Sequence, residues 1–344
     1  MDYSKILVRA TNWVGDAVMS LPALRAIRER FPKAEISVLA RPWVADLYAR
    51  ESWCSRILPY TAARGARDWA AKYRIATVLR RGRFDCAILL QNAFEAAALA
   101  WAAWIPVRIG FDRDGRGLLL TKAVPVPNAG EIPEHQRYYY LELLRRAGVI
   151  AAIPKVDAIR LEGIEEAALA GRPLLRGCVV GVSPGAAYGS AKQWLPERFA
   201  ESAVRLAGEL GGGVAVFGSG DERPLCEEVA SAVRRAGVEA IDFAGETTLR
   251  EFIDMAAACR VFLTNDSGAM HIASAVGVPM VAVFGATDHI ATGPTGELAR
   301  IVREPVSCSP CLLRECPIDH RCMTAVSSER VVGEALAMVE RIGK

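Results

Sequence analysis

No stretch of the 344-residue chain reaches the ~18 uncharged apolar residues that a membrane-spanning helix requires. The richest region, Cys86 to Val107, is broken by Gln91, Asn92 and Glu95. Near the N-terminus the apolar run Ile6-Leu7-Val8 ends at Arg9, too short for the core of a secretory leader. The nine cysteines are therefore expected to be reduced thiols, and the expected location is cytoplasmic. Net charge is scarce as well: 42 Lys and Arg face 39 Asp and Glu, a formal +3. That balance argues against a nucleic-acid partner but leaves room for local basic patches. A Walker A loop is absent, and no GxGxxG opens either half, which disfavours a nicotinamide oxidoreductase. No fixed short repeat runs through the chain, so a solenoid is excluded.

What is present is an ordinary globular composition, 52% hydrophobic and 24% charged, in a length that suits two domains. Such a chain buries a large core without disulfide staples. The first half opens on the short apolar run Lys5 to Arg9, then a helical stripe from Val18 to Phe31 stopped by Pro32. Glu35 to Ala40 and Asp85 to Leu90 read as strands, with helices over 43–50, 67–81 and 94–104. The alternation restarts at Cys178 to Ser183, followed by a helix over 196–210, a strand over 214–217 and a helix over 221–236. Strands over 261–264 and 280–284 continue it. Alternating strands and helices predict an α/β protein of two doubly wound, Rossmann-like domains with parallel sheets, facing across a cleft. The expected divisions are an N-terminal domain over 1–165, a C-terminal domain over 172–326 and a last helix within 327–344. The linker is expected in 153–173, where Pro, Gly and charge collect.

Ligands of such sheets bind beyond the carboxyl ends of the strands, which singles out four loops. Asp16 follows the first strand where a helix begins; it suits a helix N-cap or a base that takes a proton from an attacking hydroxyl. The loop from Ser183 to Trp194, with Gly185 and Lys192, is rich in small residues; it is a phosphate cradle or a plain solvent loop. The turn Gly218-Ser219-Gly220-Asp221-Glu222 reads first as a helix start capped by Asp221, and second as an acidic group for sugar or ribose hydroxyls. Most informative is Thr264-Asn265-Asp266-Ser267-Gly268-Ala269-Met270-His271, a strand running into a small polar turn that opens a helix. Amides of Ser267, Gly268 and Ala269 there suit a pyrophosphate, and His271 is read as a ligand group before a structural one.

Together these motifs resemble a known family. Asn12-Trp13-Val14-Gly15-Asp16-Ala17-Val18-Met19-Ser20-Leu21-Pro22-Ala23-Leu24, Ser183-Pro184-Gly185, Lys192-Gln193-Trp194 and Asn265 to His271 occur in the order seen in the ADP-heptose:lipopolysaccharide heptosyltransferases of glycosyltransferase family 9. The type II enzymes are the nearer resemblance, and the segment Cys308 to Met323 looks like theirs. The resemblance runs from Lys5 to about Cys322 and implies a GT-B fold in which the N-terminal domain receives the acceptor, the C-terminal domain binds the nucleotide sugar and the last helix packs back on the N-terminal domain. It further implies inverting transfer of a heptose from ADP-heptose to the lipopolysaccharide inner core, most readily the second heptose, with no cofactor or metal required. By resemblance Asp16 is the general base and Lys192 contacts the donor phosphates. Ser183, Gly185, Asp266, Ser267, Gly268, Ala269 and His271 match donor-binding positions, Glu222 less closely. Asn12 and Trp13 fall on the acceptor side. The alternatives are another GT-B glycosyltransferase or a sugar-nucleotide epimerase, and, outside enzymes, a cysteine-cluster metal protein or a membrane-surface scaffold.

Two further features bear on partners. From Arg64 to Arg83 there are seven basic residues, Arg64, Arg67, Lys72, Arg74, Arg80, Arg81 and Arg83, against Asp68 alone. They read either as a solvated helix face or as a surface for an anionic lipid acceptor at the cytoplasmic face of the inner membrane. Cys308, Cys311, Cys316 and Cys322 are spaced irregularly for common zinc motifs, so packed thiols or a local disulfide are preferred to structural zinc.

Overall fold

The computed structural model describes residues 2–61 and 66–342. The chain divides into two compact units, Met1–Val156 and Asp157–Lys344. In the first unit, in chain order, are β1 (Lys5–Arg9), α1 (Val14–Arg30), β2 (Glu35–Ala40), α2 (Pro42–Ala49), β3 (Arg56–Pro59) and α3 (Ala66–Gly82). Then come β4 (Cys86–Leu89), α4 (Phe94–Ala102), β5 (Val107–Phe111), β6 (Lys122–Val124) and α5 (Gln136–Arg146). The second unit continues with α6 (Ile164–Leu174), β7 (Cys178–Ser183), α7 (Pro196–Leu210), β8 (Gly213–Val216), α8 (Arg223–Arg235), β9 (Ala240–Asp242) and α9 (Leu249–Ala258). It closes with β10 (Val261–Asn265), α10 (Gly268–Val276), β11 (Met280–Val283), α11 (His289–Thr292), β12 (Ala299–Val302), α12 (Arg321–Thr324) and α13 (Ser328–Ile342).

Each unit holds one six-stranded sheet, ordered β3-β2-β1-β4-β5-β6 and β12-β11-β10-β7-β8-β9, with every pairing parallel. Helices on both faces bury the central strands twice over, so β1, β4, β7 and β10 read as nearly unbroken apolar runs. Strand order reverses between β1 and β4 in one sheet and between β7 and β10 in the other. Diverging connections leave a crevice at such a switch point, beyond the carboxyl ends of the strands. Asp16 follows β1, and the loops at 183–193 and 264–271 follow β7 and β10. The topology therefore puts three of the four singled-out segments at switch points.

Two expectations are corrected. The stretch read as a linker, 153–173, contains most of α6, which packs against α9 within the second unit. The boundary accordingly falls at Val156/Asp157 rather than near residue 165. Residues 159–161 are already tied to the second unit, since Ile159 N donates to Thr295 Oγ1 at 2.9 Å and Leu161 N to Ala275 O at 3.0 Å. The last helix, α13, belongs to the second unit. It packs on its own unit, against α7, β11 and β12, because Val331, Val332, Ala335 and Met338 form an apolar stripe that completes that core.

The α6–α9 contact has a steric requirement. A Cβ on Gly171 would overlap the backbone carbonyl of Asp254, so only glycine lets the helices approach this closely. Gly171→Ala is expected to destabilise the protein by about 1–3 kcal/mol, as overpacking does, measured by urea unfolding.

Candidate functional site

In the first unit Asp16 stands on the first turn of α1, whose N-cap is Trp13, so Asp16 is the third helical residue and not the cap. Its carboxylate is half-buried, and Tyr140 of α5 donates from Oη to Asp16 Oδ1 at 3.0 Å. Burial, and then the Asp16 charge, push the Tyr140 phenol well above its ordinary range, so it stays a donor at any physiological pH. Asn12 is oriented by Arg9, whose Nη2 donates to Asn12 Oδ1 at 3.0 Å, while Trp43 Nε1 donates to Asn12 O at 2.8 Å. Trp13 is exposed.

Arg9 ends β1 fully buried and is lowered to about 10, chiefly by burial and next by Arg41. Arg41 lies over the Tyr60 ring at 4.5 Å and pairs with Glu95 at 3.6 Å. Two buried guanidiniums thus sit beyond the carboxyl ends of β1 and β2. Of the basic run, Lys72 is held by Asp68 at 2.6 Å and Glu95 at 3.2 Å, and Arg74 is exposed. Arg64 lies outside the described residues, as does the Arg67 side chain.

In the second unit the central group is a residue quoted above only as part of a motif. Asn265, wholly buried at the end of β10, accepts from Trp194 N at 2.9 Å through Oδ1 and donates through Nδ2 to Pro184 O at 2.6 Å. One amide thereby joins the loop after β7, the stretch after Lys192 and the turn after β10. Lys192 reaches Asp266 from Nζ to Oδ2 at 2.5 Å, and Thr287 donates to the same oxygen at 2.5 Å. The ammonium also lies 5.1 Å from the Tyr188 ring centre. Ser267 is the N-cap of α10 but makes no side-chain cap bond; its hydroxyl pairs with Thr264 Oγ1 at 3.2 Å. Gly268 and Ala269 open the helix, partly exposed, and His271 lies buried on that first turn.

Ser183 is buried at the end of β7, in register with Thr264. Gly185 lies directly against the Glu222 carboxylate, which a Cβ there would strike. Glu222 Oε2 accepts from Ser219 N at 2.8 Å and Ser219 Oγ at 3.0 Å, a capping box. The start of this helical segment is therefore capped by Ser219 with Glu222, and the cap expected of Asp221 is corrected. Beyond β11 a recess of about 220 Å³ is lined by Phe284, Thr287, His289, Ile290, Arg303 and Pro310 among others. Thr287 belongs both to this recess and to the Asp266–Lys192 group.

Cys308, Cys311, Cys316 and Cys322 are all free thiols. They border one narrow recess with His320, whose Nε2 lies 3.1 Å from Ala191 O. Burial first, and then the neighbouring thiols, raise the Cys322 thiol above its ordinary range. Among the described residues no three His, Cys, Asp or Glu side chains are grouped to hold a metal ion, and no helix is long and apolar enough to cross a membrane.

Comparison with known proteins decides between the readings. Glycosyltransferase family 9 (heptosyltransferase) matches residues 72–321. The chain belongs to this family. Lipooligosaccharide heptosyltransferase 2 of Haemophilus influenzae is 31% identical, covering 87% of this chain and 88% of that protein. Lipopolysaccharide heptosyltransferase 2 of Escherichia coli is likewise 31% identical over 87% and 88%. The solved structure of E. coli ADP-heptose lps heptosyltransferase II superposes with a TM-score of 0.84 at 27% identity, covering 99% of this chain and all of that one. The fold is GT-B, as the family resemblance implied. Within this family member, Tyr140, Asn265 and Thr287 are the supporting groups that reading the motifs passed over. Asn265→Ala removes both bonds of a buried amide and strands Pro184 O and Trp194 N. It is expected to cost about 2–4 kcal/mol of stability and to weaken ADP binding, checked by denaturant unfolding and calorimetry.

Proposed function

We propose that the protein is an inverting glycosyltransferase that moves a heptose from ADP-heptose to the inner core of lipopolysaccharide, adding the second heptose. The observation that carries this is the turn after β10, ordered by Asn265 and suited to an anion, in a chain that matches heptosyltransferase 2 proteins over 87% of its length. The acceptor hydroxyl gives its proton to Asp16 as its oxygen attacks the anomeric carbon, and the bond from that carbon to the ADP phosphate oxygen breaks with its electron pair leaving on ADP. Displacement from the face opposite the leaving group inverts the centre, so one base suffices and no covalent enzyme intermediate forms.

The second unit receives the charge that develops on ADP. Lys192 and the uncapped amides at the start of α10 offer a cation and aligned dipoles to the pyrophosphate. Asp266 holds Lys192 in place, and the donor competes for that ammonium. Tyr140 positions Asp16 by donating to one oxygen, which keeps the carboxylate aimed without lengthening its reach. Arg9 and Arg41 supply positive charge in the unit assigned to the acceptor, in keeping with a phosphorylated substrate. No cofactor enters the reaction. With a lipid acceptor, the reading puts the enzyme's work at a membrane surface, taken here as the cytoplasmic face of the inner membrane.

Incubation of ADP-heptose with acceptors carrying no heptose or one heptose, followed by mass spectrometry, tests the reading. Addition of one heptose to the one-heptose acceptor alone is expected. Addition to the heptose-free acceptor would reassign the step, and release of an altered sugar nucleotide without acceptor would indicate an epimerase.

A further inference from the structure

Five of the seven tryptophans are exposed, and three of those five cluster on or beside two helices of the first unit. On α3, Trp69 and Tyr73 are each 76% exposed and one turn apart, and Val78 is exposed further along. On and just after α4, Trp101 and Trp104 are exposed, and Leu118 on the adjoining short helical turn is 97% exposed. The two helices lie side by side. Lys72 of α3 meets Glu95 at the start of α4 at 3.2 Å, and Arg80 two turns later stacks 4.6 Å over Trp104 at its end. Their inner faces are spent on the core, where Ile75, Ala76 and Leu79 pack with Ala97, Ala100 and Ala103. The outer rings are thus not needed by the fold, and an apolar surface of this kind marks a contact.

The charge around these rings has one sign. Arg74, Arg80, Arg81 and Arg83 are exposed, while Asp68 and Glu95 are both paired with Lys72. We propose that the outer face of α3 and α4 docks the protein onto an anionic lipid bilayer. Tryptophan and tyrosine rings favour the headgroup level, where an apolar body and a polar edge are both satisfied. Arginines beside them are drawn to an anionic leaflet, and the combination supplies the two signals that stable peripheral binding takes. A second copy of the chain is a poorer occupant, because face-to-face pairing would set arginine against arginine. The proposal builds on the acceptor's being a membrane lipid, and its test is read without turnover.

Flotation with vesicles of phosphatidylethanolamine and phosphatidylglycerol, against vesicles of phosphatidylcholine alone, provides that test. The wild-type chain is expected to float with the anionic vesicles only, with a blue shift of tryptophan emission. Two variants are compared, Trp69→Ser/Tyr73→Ser/Trp101→Ser and Arg80→Glu/Arg81→Glu, each checked for fold by circular dichroism and for ADP affinity. Each is expected to lose vesicle affinity by about tenfold or more while binding ADP as tightly as wild type. Wild-type protein that ignores anionic vesicles, or a folded charge-reversal variant that floats as well as wild type, would overturn the surface. A wild-type dimer that the variants dissolve would overturn it too, in favour of self-association. Vesicle binding with no transfer to any acceptor would sustain the surface and overturn the proposed function instead.

Discussion

The side-chain amide of Asn265 is the constraint on which the second unit's site depends. A buried amide must find partners for its donors and its acceptor, and Asn265 finds them on two other loops. The loops after β7 and β10 adjoin because those strands are neighbours at the switch point; the amide then fixes their relative height. With that height set, Lys192 comes within ion-pair distance of Asp266, and Thr287 closes the group from the side of the β11 recess. The pyrophosphate site proposed above would depend on such a brace, since backbone amides cannot reorient to find their ligand.

The first unit solves a different problem. The Asp16 carboxylate, proposed above as the base, is held at the edge of solvent by the first turn of α1 and by Tyr140 from α5. The phenol is buried and keeps its proton, so it orders the carboxylate without competing for the acceptor's proton. The two buried guanidiniums of Arg9 and Arg41 cost desolvation, offset by carbonyl oxygens, by Glu95 and by the Tyr60 ring. That outlay is easier to understand if their charge acts on an anionic substrate than if they serve packing alone.

Much of this was legible in residue order. The central strands β1, β4, β7 and β10 announce themselves as apolar runs because both their faces are covered. The outer strands β3, β6, β9 and β12 do not, being only three or four residues long and carrying Arg56, Lys122, Asp242 and Arg300. Helix α6 hides behind Gly171 and Pro173, residues that signal a linker, although the glycine is there to let α9 approach. Asp16 and the 264–271 turn were visible through their placement after strands. Tyr140 was not, lying 124 positions from Asp16, nor was the brace between Asn265 and residues 81 and 71 positions away. Such pairings belong to the fold rather than to any local pattern. The exposed rings of α3 and α4 escaped notice for the converse reason, since an aromatic residue at helical spacing reads as core until its burial is known.

The central claim is that Asp16 takes the acceptor's proton while the second unit alone binds the donor. Asp16→Asn keeps the size and the bond from Tyr140 but removes the base. Single-turnover transfer from ADP-heptose, read beside ADP-heptose affinity by calorimetry, tests it most directly. The account predicts a fall in rate of about 10²–10⁴ with donor affinity unchanged. A variant that transfers at the wild-type rate, or one that loses donor affinity in proportion to rate, would contradict it.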